Sequence, residues 1–107
     1  MRLSVIISCG LVLIAAVALA AGVAKHSFTP KEGFVPDAKT AIKIAVAVWE
    51  PIYGEEKIAG EKPYQARLET NGIWIVEGSL PKGWVGGVAV AEIAKSDGRI
   101  LRVSHGQ

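Results

Sequence analysis

Residues 64–79 read YQARLETNGIWIVEGS, and their reading decides the fold. On both sides of Asn71-Gly72 the apolar residues recur at every second position, the period of a strand with one covered face. Asn-Gly supplies the positive φ angles of a two-residue type I′ turn, so the stretch predicts a β-hairpin. Such a turn pairs Leu68 with Ile75 and Glu69 with Trp74. Ala66, Leu68, Ile73 and Ile75 then share one face, expected to carry a helix, while Trp74 points the other way with Arg67 and Val76. On that open face Trp74 is either covered, by Trp84 or by stacking of Arg67, or exposed as a binding surface.

A second hairpin follows in GVAVAEIAKSDGRILRVSH, residues 87–105. A three-residue Ser96-Asp97-Gly98 loop, with Gly98 in the left-handed conformation, pairs Glu92 with Arg102. It also aligns Ala91, Ile93, Leu101 and Val103 on one face. A two-residue loop would place Glu92 among the apolar residues.

Ahead of the hairpins, PDAKTAIKIAVAVWEPIYG, residues 36–54, has the period of a helix. Asp37 suits the N-cap, and Ala38, Ala41, Ile42, Ala45, Trp49 and Ile52 follow the spacing of one helical face. Pro51 is expected to kink or end the helix and Gly54 to stop it. Ile44, Val46, Ala47 and Val48 make its second half apolar almost all round. That half needs cover on two sides: the sheet, and then the Phe28–Val35 segment, a partner, or a second copy of the chain in a homodimer. The sum is an α+β fold, one main helix packed on a four-stranded antiparallel sheet of two hairpins.

The hairpins are joined by LPKGWVGGVA, residues 80–89. Gly83, Gly86 and Gly87 let the chain turn through backbone angles closed to other residues, and Trp84 can fold back as a lid over the sheet. If the joint is exposed instead, Lys82 and Trp84 are its candidate partner contacts, beside Trp74 and Arg67 on the sheet.

The chain opens with Met-Arg and an apolar run to Ala24, in which Ala18-Leu19-Ala20 fits a signal-peptidase site. Residues 1–20 therefore read as a signal peptide cut between Ala20 and Ala21, residues 21–35 as a tether, and residues 36–107 as the folded domain. The alternative is an uncleaved anchor, because about 20 apolar residues span a bilayer. Arg2 keeps the amino terminus inside, so the domain is expected in the periplasm, free or anchored to the inner membrane. Contact with membrane is expected only through an uncleaved leader.

Cys9, the one cysteine, lies in that leader, so a disulfide within the domain is excluded. Without Arg2 the 12 basic residues fall to 11 against 10 acidic ones, scattered along the chain, which is no nucleic-acid footprint. His26 and His105 are too few for a metal site, and strand parity places His105 at the core edge. Glu55 and Glu56 read as solvated charges, Ser79 and Ser104 belong to no nucleophile motif, and GWVGG lacks the ending of a phosphate loop. No catalytic residue, metal or cofactor is expected.

Three stretches taken together carry a resemblance: VPDAKTAIKIA with PIYG, then NGIWIVEGSLPKGWVGGVAVAEI, then KSDGRILRVSHG. In their order and spacing they resemble the small bacterial immunity proteins with a nuclear-transport-factor-two-like (NTF2) fold that accompany Rhs-type polymorphic toxins. The likeness covers about residues 34–107. It implies a non-enzymatic protein that binds and neutralises a cognate toxin domain, and the leader adds the expectation that this protein is exported. Two other expectations stand beside it: a periplasmic inhibitory or regulatory binding module, and a small-ligand-binding protein of the same fold with Trp49 and Trp74 in its pocket.

Overall fold

The computed structural model describes residues 25–106. The leader, the cleavage site at Ala20 and Ala21, and Cys9 lie outside the described residues. Within them the order is α1 (Ala38–Tyr53), α2 (Glu55–Ala59), β1 (Gln65–Leu68), β2 (Ile73–Glu77), β3 (Ala89–Ala94) and β4 (Ile100–His105). The strands form one antiparallel sheet in the order β1-β2-β3-β4, with α1 laid across β1, β2 and β3. This is the α+β layout expected.

Asp37 caps α1 as its residue type suggests. Its Oδ1 accepts from the Thr40 amide at 2.8 Å and from the Thr40 hydroxyl at 2.7 Å. Those two bonds, side-chain first, hold the Asp37 carboxyl below its ordinary range. The helix runs through Pro51 and stops where the Gly54 amide donates to the Glu50 carbonyl at 2.8 Å. Proline is tolerated there because the amide it lacks would have bonded Ala47, whose residue is exposed to water. Ala41, Ala45 and Trp49 are fully buried, but Ile52 is 57% exposed; Tyr53 turns inward in its place, its ring 5.1 Å from that of His105.

The first hairpin corrects the register. Leu68 stands opposite Trp74, and Arg67 opposite Ile75. The connection is a three-residue loop, Thr70-Asn71-Gly72: the Gly72 amide donates to the Glu69 carbonyl at 3.0 Å, and Gly72 alone has positive φ, +79°. Asn71 stays at negative φ and uses its side-chain oxygen to accept from the Ile73 amide. One added loop residue exchanges the two faces of β2. Trp74 and Val76 are buried beneath α1, while Leu68 is 44% exposed. The larger apolar pair wins the covered face, because burying an indole and a valine removes more apolar surface from water than burying two isoleucines at these positions beside the helix.

The second hairpin keeps Glu92 opposite Arg102 and Ala91 opposite Val103. Gly98 has positive φ, as expected. A bulge then intervenes, so that Ile93 faces Ile100 and Leu101 is pushed out to 40% exposure. Leu101 is therefore no member of the inner face.

The core gathers Val35, Trp49, Ile58, Trp74, Val76, Ala89, Ala91 and Ile93. Val35 belongs to the segment read as a tether, and it docks. The Phe34 and Val35 amides donate to the Ser96 and Lys95 carbonyls, each at 3.0 Å, and the Val35 carbonyl accepts the Trp74 indole at 2.8 Å. Of the apolar residues in this segment only Val35 is buried, while Phe28 and Phe34 are exposed at 72% and 48%.

Candidate functional site

The stretch from Gly78 to Val88 connects β2 to β3 and holds two strongly exposed large apolar side chains. Trp84 is 70% exposed and Val85 98%. Pro81 to Trp84 make a β-turn, closed by the Trp84 amide on the Pro81 carbonyl at 3.0 Å, with Gly83 at φ +84° where a type II turn requires it. Trp84 is therefore held away from the sheet, and the expectation that it folds back as a lid is not met. Lys82, at the crown of the turn, is exposed beside it.

Beneath the loop lies an open groove of about 370 Å³ with a mainly apolar wall of Leu80, Pro81 and Trp84. Glu61 and His105 line its floor. Glu61 Oε2 lies 2.8 Å from His105 Nε2, and since a carboxylate only accepts, the imidazole donates. The other ring nitrogen, Nδ1, is 2.8 Å from the Gly106 carbonyl. Glu61 Oε1 accepts from the Ala89 amide at 2.7 Å. His105 is thus at the core edge, as parity implied, but Glu61 was not legible. Its side-chain partners lie 28 and 44 positions away, so no local pattern marks it.

The four candidate contacts separate. Lys82 and Trp84 are neighbours in the loop. Arg67 lies on the outer face of the sheet, where it bonds Glu77 at 2.6 Å and Glu69 at 3.5 Å. Its guanidinium is raised above its ordinary value, chiefly by the Glu77 bond. Trp74 is on the opposite face, in the core, so its expected place beside Arg67 is corrected by the register. Trp49 is equally buried, its indole donating to the Val90 carbonyl at 3.2 Å. Both rings are consumed in packing and indole hydrogen bonds, which leaves the small-ligand alternative without support from them. Glu55 and Glu56 are exposed in the first turn of α2.

Among the described residues no group of three or more His, Cys, Asp or Glu side chains is placed to hold a metal ion. No helix among them is long and apolar enough to cross a membrane. What the site offers chemically is a pinned loop with a large aromatic tip, an adjacent apolar groove and a cation at the rim. Those are the elements of a protein-binding surface.

A curated relative, the uncharacterized protein YhhH of Escherichia coli (strain K12), is 36% identical over 74 residues, which are 68% of this chain and 58% of that protein. The chain thus spans somewhat over half the length of that relative. No solved structure matches. The family described as NTF2 fold immunity protein matches residues 40–107, from the first turn of α1 through the loop and both hairpins. By that match, over well more than half of its length, the chain belongs to the NTF2-fold immunity proteins, a family of binders and not of enzymes.

Proposed function

We propose that this protein is exported and neutralises a cognate bacterial toxin by binding it through the Ser79–Val88 loop. The observation that carries the reading is the exposure of Trp84 and Val85, 70% and 98%, at the tip of a loop whose base is hydrogen-bonded. Burying both on a partner would remove large apolar area from water at small ordering cost, because the loop is already shaped. Lys82 beside them supplies a rim charge for steering.

Export rests on the leader, with Arg2 before the apolar run and Ala18-Leu19-Ala20 at its end. A periplasmic location, with the mature chain starting at Ala21, suits defence against a toxin delivered from a neighbouring cell. The resemblance to proteins that accompany Rhs-type toxins names the class of partner: a toxin domain encoded beside this gene.

Co-expression with that toxin domain tests the reading. A stoichiometric complex and rescue of cell growth are the expected results. Capture of an envelope protein together with indifference to the toxin would instead favour the inhibitory or regulatory module.

A further inference from the structure

Glu61 is the one buried charged residue among those described, and four chain segments meet on it. Its amide donates to the Ile58 carbonyl at 3.0 Å at the end of α2, and its carbonyl accepts the Ser79 amide at 2.7 Å. Its carboxylate takes the Ala89 amide on one oxygen and His105 on the other. Ser79 and Ala89 bracket the exposed loop, so a single residue bonds both of its ends.

The packing around this residue is shaped to admit it. A Cβ on Gly78 would stand 2.5 Å from Glu61 Oε1, and one on Gly87 would stand 2.0 Å from the carbonyl carbon of Gly106. Glycine at both positions lets the loop base close on the carboxylate and on the end of β4. The Ser79 hydroxyl adds a bond to the Pro63 carbonyl at 2.6 Å. Between these ties the loop carries Gly83, Gly86 and Gly87, and a free chain of that composition would lose much conformational entropy on meeting a partner.

We infer that Glu61 is a positioning residue, which closes the base of the Ser79–Val88 loop and so presents Trp84 and Val85 in one fixed orientation to a protein partner. The purpose of the device rests on the toxin-binding reading; its existence does not. Charge-assisted bonds to a backbone amide and an imidazole are strong enough to hold a loop, and burial shields them from water.

Hydrogen exchange of the free protein, residue by residue, tests the clamp. In Glu61→Ala, the amides of Gly78, Ser79 and Trp84, each hydrogen-bonded in the wild type, are expected to exchange at least about tenfold faster, with those of Ala45 and Trp49 in α1 little changed, since local opening and global unfolding are separable. Glu61→Gln keeps an acceptor for Ala89 and is expected to retain the protection. If Glu61→Ala does not fold, Gly78→Ala, which pushes on the carboxylate, takes its place with the same expectation. Loop amides that exchange no faster relative to α1 in the variant that folds, or that are already unprotected in the wild type, overturn the inference. Toxin affinity of the same proteins separates the two readings: a wild type with a protected loop that ignores the toxin contradicts the binding function alone.

Discussion

The indole of Trp74 donates to the carbonyl of Val35 at 2.8 Å, joining the second strand to the segment that precedes the first helix. Both residues are buried, so neither group has water as an alternative partner. Trp74→Phe keeps an aromatic ring but strands the carbonyl. It is expected to cost about 1–3 kcal/mol, the penalty of an unsatisfied buried acceptor plus some lost packing. Leu68→Ala, on a side chain that is 44% exposed, is expected to cost less than about 1 kcal/mol. Denaturant melts of both variants check the register, because the pairing of Leu68 with Ile75 demands the opposite order.

The N-cap gives stability a defined response to acid. Asp37 is held below its ordinary value of 3.8, first by the Thr40 hydroxyl and then by the Thr40 amide. A depressed carboxyl stabilises the fold fully above the unfolded value and loses that contribution as pH falls through the folded one. Helix stability is therefore expected to decline below about pH 4, and Asp37→Asn, which still caps but does not titrate, is expected to lose this part of the decline. Thermal melts followed by circular dichroism between neutral pH and pH 2 measure it; identical acid profiles would contradict the cap.

At the base of the loop, Gly87→Ala places a methyl group where the backbone of Gly106 already lies. Neither chain can yield without breaking the pairing of β3 with β4 at Ala89 and His105. A loss of at least about 2 kcal/mol is expected, on the scale of steric strain in a packed backbone. An unchanged thermal midpoint would show that the two segments do not meet.

Helix, hairpins and fold class were legible because each is announced by neighbours in sequence. Asp37 stands before a helical period, Asn71-Gly72 and Asp97-Gly98 stand between strand periods, and Glu92 lies in reach of Arg102. The faces of the first hairpin were not, since Asn-Gly suits both a two-residue and a three-residue loop and a single residue exchanges the faces. What decides is the packing of Trp74 and Val76 under α1, a tertiary term. Around Lys82 and Trp84 the glycines marked an irregular joint, and both residues are exposed in it. Glu61 was invisible because its role depends on chain segments brought together only by the fold.

Lys82, exposed at the crown of the turn, is expected to act on encounter more than on residence. Lys82→Ala should slow association with the toxin and flatten its dependence on salt, with little change in dissociation. Stopped-flow or surface-plasmon kinetics at two ionic strengths read this directly. A change confined to the dissociation rate would place Lys82 inside the contact, not at its rim.

The central claim, that the loop is the toxin-binding surface, is tested most directly by the affinity of Trp84→Ala for the neighbouring toxin domain, measured beside a denaturant melt of the same variant. Because Trp84 is 70% exposed, its removal is expected to leave folding stability within about 0.5 kcal/mol of the wild type. The complex is expected to weaken by about 2 kcal/mol or more, the scale on which interface hot spots are recognised. A variant that is as stable as the wild type and binds the toxin as tightly would contradict the claim, and would move the contact to the outer face of the sheet around Arg67.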